Sequence, residues 1–356
     1  MKISIYTFGC TVNHYETQKL RDSFLKYGDE ITEENNADVV IINSCAVTGT
    51  AEKSVQRLIS RLKSKSPNRL ITVVGCYGEA IKQQGKSSLP GVDILLGNDK
   101  DEICNILHSE HKKQKAISSS TQSSGYLQIQ NGCDNYCSYC IVPYLRGAST
   151  SKTPEEIKEE LHSLLSRGCT DIVLAGLNLG LYESEEYAFP DIIRMVNDTP
   201  GVERIRLSSL EPMNIEGRFI SELNSYDKLE PHLHISLQSG CDRILKLMNR
   251  NYCFEDYLNM LNAIRKQRPG IAISTDVIVG FPGETEKDFI ESVNNIVRCE
   301  FSDIHIFKYS PRKGTPAAAM PDQVSEHQKI NRATMLKGVK LQTKFHFAGN
   351  VSPKEG

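Results

Sequence analysis

The sequence of 356 residues lacks any apolar run near the about 18 residues a membrane-spanning helix requires. It also lacks an apolar signal stretch, because Met1 to Cys10 runs straight into strand-like alternation. A cytoplasmic location without membrane contact is therefore expected. No charge of one sign dominates: 42 Lys and Arg stand against 44 Asp and Glu, so global charge lends no support to nucleic-acid binding. Its distribution is uneven, with net +2 over residues 1–124, −7 over 125–320 and +3 over 321–356. The densest basic run comprises Lys53, Arg57, Arg61, Lys63, Lys65 and Arg69, a pattern that fits a solvated helix face or a phosphate-binding one.

Cysteine, by contrast, is plentiful. Eleven cysteines without a signal peptide do not read as a secreted disulfide framework, so ligand or redox chemistry explains some of them better. Three sit at C-x3-C-x2-C spacing in the stretch from Gln128 to Arg146: Cys133, Cys137 and Cys140. Three thiolates on one tight loop can hold three corners of a cubane iron–sulfur cluster and leave the fourth iron open to a ligand. A structural zinc site or plain buried thiols are the other readings. Zinc prefers four ligands in paired spacings, and neither a second C-x2-C nor a well-spaced histidine pair occurs elsewhere.

Toward the N-terminus, strand and helix patterns alternate. Lys2–Phe8, Val39–Asn43 and Leu70–Gly75 read as strands, and Tyr15–Tyr27 and Glu52–Lys65 as helices, which predicts a small parallel α/β sheet. Cys10, Cys45 and Cys76 each follow one of these strands by a residue or two. Loops beyond the carboxyl ends of parallel strands share one edge, so these cysteines are expected to meet and could hold a second cluster. The competing reading is small residues filling tight turns. Residues 109–124, rich in serine and lysine, read as a linker between an N-terminal domain of 1–108 and a second domain of 125–320.

The second domain repeats the alternation six times. Strand-like runs are Tyr126–Gln130, Asp171–Ala175, Arg204–Leu207, Leu233–Leu237, Ile271–Val279 and Ile304–Phe307. Helical segments begin near Pro154, Asp191, Glu216, Asp242 with Phe254, and Glu284. Six units imply a partial (β/α)6 barrel, whose site lies at the carboxyl ends of its strands. Loops there carry Gly176, Asn178, Glu211, Gln238 and the Gly280 to Glu284 turn, polar and small residues suited to a compact ligand. Cys104, Cys169, Cys241, Cys253 and Cys299 share no spacing and read mostly as small apolar residues. His232 and His234 face one side of a strand, where packing or a hydrogen bond is favoured over a metal. Residues 321–356 form a tail with helical periodicity from Gln323 to Phe347, placed on the barrel's open flank.

Taken together, G-C-T-V-N-H-Y-E-T, N-S-C-A-V-T, V-V-G-C-Y-G, N-G-C-D-N-Y-C-S-Y-C-I-V-P-Y-L-R-G, H-I-S-L-Q-S-G-C-D, T-D-V-I-V-G-F-P-G-E-T and Y-S-P-R-K-G-T-P-A resemble the methylthiotransferase family of radical S-adenosylmethionine (SAM) enzymes. They run from Gly9 to Ala317. The resemblance implies two [4Fe-4S] clusters, an auxiliary one on Cys10, Cys45 and Cys76 and a second on Cys133, Cys137 and Cys140, the latter with SAM on its open iron. It implies no catalytic side chain beyond the cluster ligands. Tyr139, Gly176, Asn178, Glu211, Gln238 and Asp276 are the expected SAM contacts. Val12 and Asn13 after Thr11, with Tyr15-Glu16-Thr17, are similar to the MtaB type, which modifies N6-threonylcarbamoyladenosine at position 37 of tRNA. The isopentenyladenosine type, the type acting on a ribosomal-protein aspartate, and a non-catalytic cluster carrier are the alternatives. A tRNA anticodon stem-loop and an electron donor such as flavodoxin or ferredoxin are the implied partners. Family members usually continue into a small basic β-barrel, the TRAM domain; none is expected in this sequence, where the basic runs near Lys53 to Arg69 and in the tail could meet RNA instead.

Overall fold

The computed structural model describes residues 1–108, 124–215 and 217–351. The linker expected over 109–124 lies outside them apart from Ser124, as do the helix start near Glu216 and the end of the tail.

Five parallel strands form the N-terminal sheet in the order Glu30–Ile31, Lys2–Thr7, Val39–Ser44, Leu70–Gly75, Ile94–Leu95. The central strand, V-V-I-I-N-S, is buried along its whole length, which explains why it does not alternate. Val40 and Ile42 face Val55, Leu58, Ile59 and Leu62 of the helix Gly49–Lys65. Val39 and Ile41 point the other way, into a core with Leu20 and Phe24 of the helix Thr11–Tyr27. Each such side chain contributes about 1.5–3 kcal/mol by leaving water. The second helix starts where Thr48 Oγ1 accepts the amide of Ala51 at 3.2 Å.

Six further parallel strands build an open barrel: Ser124–Gln128, Asp171–Ala175, Arg204–Leu207, His232–His234, Ala272–Val279 and Asp303–Lys308. They pair as two three-stranded sheets, joined by single bridges from Ile205 to Leu229 and from Leu210 to Ile235. The helix Pro154–Ser166 opens with a reciprocal cap, Thr153 Oγ1 accepting from the Glu156 amide and Glu156 accepting from the Thr153 amide at 2.8 Å. Apolar faces of this helix, of Phe189–Asp198, Phe254–Gln267 and Glu286–Arg298, and of the strands merge into one core.

Both flanks of the open barrel are covered. At the last strand lies the tail helix Glu326–Val351, held by Lys340 to Asp303 at 3.0 Å and by Arg332 to buried Glu284 at 2.8 Å. At the first strand stands Gln18 of the N-terminal domain: its Nε2 donates to the Tyr126 carbonyl at 3.0 Å, and its Oε1 accepts the Tyr126 amide at 2.9 Å. Ile141 and Leu145, directly after the C-x3-C-x2-C loop, insert into the N-terminal core beside Ile42, Ala46 and Tyr77. Among the described residues, no helix is long and apolar enough to cross a membrane.

Candidate active site between two cysteine trios

Cys10 precedes the first helix, Cys45 follows the central strand and Cys76 opens the short helix Cys76–Gln83, all at the carboxyl edge of the sheet. Two asparagines lock these loops together. Asn13 Oδ1 accepts from the Cys10 amide at 3.2 Å, while its Nδ2 donates to Asn43 Oδ1 at 3.3 Å; Asn43 Nδ2 returns a bond to the Asn13 carbonyl at 2.9 Å. Gly9 makes the approach feasible, since its φ is 126° and a Cβ there would stand 3.0 Å from the Cys45 Cβ. The thiols sense one another: burial pushes Cys45 up to about 12, with Cys76 and Cys10 adding to the rise. Cys10 is exposed at this edge, yet dense protein around it still raises its thiol, again with help from Cys76.

The second trio sits on the loop after the first barrel strand. Gly132, at φ 73°, passes so close to the Ala148 carbonyl that a Cβ would collide with it. The Cys140 amide donates to the Cys137 carbonyl at 2.9 Å, and Ser138 ties the loop to Met248 through its amide at 3.0 Å and to Leu247 through its hydroxyl at 2.8 Å. Burial raises all three thiols, Cys140 to about 12, with neighbouring cysteines contributing at Cys137 and Cys140. Thiols crowded in this way are poor free groups; a bound metal's positive charge would release their protons and stabilise the thiolates. Three thiols apiece are a donor set that iron accepts, and among the described residues neither trio belongs to a tight group of His, Cys, Asp or Glu ligand atoms of the kind a closed zinc site takes.

The expected SAM contacts divide into two groups. Tyr139, Gln238 and Asp276 line a pocket of about 140 Å³ together with Cys140, Ile278 and, from the N-terminal domain, Val47 and Thr48. A larger cleft of about 690 Å³ lies between the helices Thr11–Tyr27 and Pro154–Ser166, but its lining is charged and contains none of the six cysteines. The smaller, mostly apolar pocket, which touches Cys140, is thus the candidate for the part of SAM nearest that cysteine. Gly176, Asn178 and Glu211 do not line it. Gly176 exchanges bonds with Ser208; Asn178 is fully buried beside Cys133, with Oδ1 unpartnered; Glu211 is engaged by Arg250.

Arg250 is a candidate-site residue the sequence did not single out. Buried under the cysteine loop, it pairs with Glu211 and donates to the Tyr139 hydroxyl at 2.7 Å, fixing the aromatic ring beside Cys140. Burial acts first on Asp276, but His234 at 3.1 Å and His305 at 3.2 Å outweigh it and hold the carboxyl down at about 2. His232 and His234 share Ser274 Oγ at 2.8 and 2.9 Å, and His234 with Asp276 and His305 brings three possible ligand atoms within 4.8 Å of one another. Cys104, Cys169, Cys241 and Cys299 are buried, and Cys253 caps a helix.

Comparison with known proteins bears on these features. Residues 127–296 match the model of the radical SAM superfamily, and residues 2–97 match a family described as uncharacterized protein family UPF0004. A Bacillus subtilis protein named threonylcarbamoyladenosine tRNA methylthiotransferase MtaB is 36% identical over 97% of this chain and 82% of its own length. The chain belongs to the methylthiotransferase family of radical SAM enzymes. Another relative, a Clostridium botulinum tRNA-2-methylthio-N(6)-dimethylallyladenosine synthase, is 38% identical over 92% of this chain and 79% of its own. Among solved structures, the radical SAM methyltransferase TsrM from Kitasatospora setae superposes with a TM-score of 0.60 at 13% identity, covering 89% of this chain and 74% of that one. Its likeness speaks to the fold alone. Membership of a radical SAM methylthiotransferase family carries SAM and a [4Fe-4S] cluster with it.

Proposed function

We propose that this methylthiotransferase inserts a methylthio group at C2 of N6-threonylcarbamoyladenosine at position 37 of tRNA, with an auxiliary [4Fe-4S] cluster on Cys10, Cys45 and Cys76 and the SAM cluster on Cys133, Cys137 and Cys140. The observation that carries this reading is the pair of cysteine trios on loops that pack together through Ile141 and Leu145. When bound, the SAM cluster supplies the electron that cleaves SAM to a 5′-deoxyadenosyl radical, the chemistry needed at an unactivated aromatic C–H bond. Around it, Tyr139, Gln238 and Asp276 would hold SAM beside Cys140, and the target adenine would leave its stack to reach the space between the loops.

One further feature supports the nucleic-acid substrate. In the basic run, Arg61 and Lys65 pair with Glu34 and Lys63 with Asp93, so those charges are internally satisfied. Lys53 and Arg57 are exposed, one helical turn apart, without an acidic partner among the described residues. They extend from the same helix whose Glu52 meets Arg312 near the Cys45 loop, a position suited to phosphate. For the substituent on the adenine, the Thr11-Val12-Asn13 motif and the fuller coverage by the MtaB relatives favour threonylcarbamoyl. The 38% identity to the dimethylallyladenosine enzyme keeps the isopentenyl substrate as the second reading.

Mass spectrometry of tRNA nucleosides from a deletion strain tests the substrate. Loss of the 2-methylthio derivative of threonylcarbamoyladenosine alone is expected; loss of the isopentenyl derivative instead would transfer the assignment. Anaerobic iron and sulfide quantitation tests the sites. Replacing Cys10, Cys45 and Cys76 together by alanine should halve the iron, and full retention would remove the auxiliary cluster from the proposal.

A further inference from the structure

Arg146 belongs to the barrel, six residues beyond Cys140, yet its side chain is spent on the other domain. Its Nε donates to the Cys76 Sγ at 3.1 Å, across 70 residues of chain. The guanidinium is held in that pose by Glu16, which it meets through both Nη1 and Nη2, the latter at 3.3 Å. Glu16 is in turn paired with buried Lys100. Arg146 itself is nearly inaccessible, 4% exposed. The sequence brings it there because Pro143 opens the short helix Val142–Arg146, whose Leu145 anchors in the N-terminal core.

A buried guanidinium could have been satisfied by Glu16 alone. That Nε points at a sulfur, and at one of the three assigned to the auxiliary cluster, gives it a second task. We infer that Arg146 is a positioning residue through which the SAM-cluster loop of the barrel sets the electronic properties of the auxiliary cluster, by donating a hydrogen bond and positive charge to Cys76. This rests on the assignment of Cys10, Cys45 and Cys76 to a cluster. Outer-shell donors to ligating atoms fix ligand orientation, and hydrogen bonds to cluster sulfurs together with local charge set reduction potential. A donor and a cation at Cys76 favour the more negative, reduced cluster. Taking them away should move the potential downward. Glu16 and Lys100 keep the guanidinium from swinging out of reach, so their contribution is indirect.

The test uses the full chain with Cys133, Cys137 and Cys140 replaced by alanine, which isolates the auxiliary site, reconstituted anaerobically with iron and sulfide. Redox titration followed by electron paramagnetic resonance compares Arg146, Arg146→Lys and Arg146→Met. The expected result is a lower potential in Arg146→Met at unchanged iron content, with Arg146→Lys in between because it keeps charge but loses the rigid Nε donor. Glu16→Gln serves as a second variant: it leaves Arg146 in place but removes the anion that offsets its charge, and should shift the potential upward, opposite to Arg146→Met. Equal potentials in all four proteins with full iron content would overturn the role of Arg146 while leaving the cluster assignment standing. Absence of any cluster in the Arg146 parent would overturn the assignment itself, and this inference with it.

Discussion

Arg312, on the loop after the last barrel strand, donates from Nη1 to the carbonyl of Ala46, next to Cys45, at 3.3 Å. The same nitrogen meets Glu52 at 2.7 Å, so one barrel side chain clasps both the loop and the helix that follow the central N-terminal strand. Arg312→Ala should lower stability by about 1–3 kcal/mol, the cost of leaving partly buried partners unsatisfied. It should also reduce methylthiolated product more than it reduces 5′-deoxyadenosine formation, because the Cys45 loop rather than the barrel loop loses its support. Thermal denaturation and quantitation of both products check this; parallel losses would count against the clasp.

Gly132 tolerates no side chain. Its left-handed backbone costs a non-glycine residue about 1–2 kcal/mol before the collision with the Ala148 carbonyl is added. Gly132→Ala should therefore deplete the iron proposed for the barrel trio and abolish SAM cleavage, whereas Gly147→Ala, with open space around its Cβ, pays only for its φ of 76°. Iron quantitation of the two variants separates local collision from general strain.

Arg250 and Tyr139 offer a graded pair. Arg250→Met strands the Glu211 carboxylate beside the cysteine loop and should cost about 3–5 kcal/mol, as a broken buried pair does. Tyr139→Phe removes only the hydroxyl that Arg250 reaches at 2.7 Å, a loss of about 1.5–3 kcal/mol. Urea unfolding of both variants should show the arginine change to be the larger, and SAM affinity should weaken in both.

Stability should respond to pH through Glu284. Burial pushes its carboxyl up to about 7, although the Gly280 amide and Arg332 pull it back. The folded state thus binds this proton more tightly than the unfolded chain, where the group titrates at about 4.3. Its contribution is fully present below that value and is lost as pH rises through about 7. Relative to Glu284→Gln, the wild type should lose urea resistance between pH 5 and pH 7.5. A difference between the two that stays constant over this range would refute the assignment.

Much of this architecture could be read from the residues. The strands Asp171–Ala175 and Arg204–Leu207 match their apolar runs residue for residue, and the long central strand announces itself by four β-branched residues in a row. Glu30–Ile31 and Ile94–Leu95 could not be seen, because two residues have no periodicity; they exist as strands only through pairing with longer neighbours. The helix expected from Glu284 starts later, at Glu286, since Thr285 caps it and Glu284 turns inward to the Gly280 amide. Among the expected site residues, C-x3-C-x2-C spacing pointed to Cys133, Cys137 and Cys140 and strand ends to Cys10, Cys45 and Cys76, and three of the six expected SAM contacts line one pocket. Arg146, Arg250 and Arg312 were illegible. Their partners across the site, Cys76, Glu211 and Ala46, lie 39 to 266 residues away, and nothing in local sequence records such a distance.

Gln18 impersonates a neighbouring strand. By offering Tyr126 both an acceptor and a donor, its carboxamide completes a ladder that the barrel's own backbone leaves unfinished. A barrel severed from the N-terminal domain would leave the Tyr126 amide and carbonyl open on its edge strand. The N-terminal domain thus shields the first barrel strand at Tyr126.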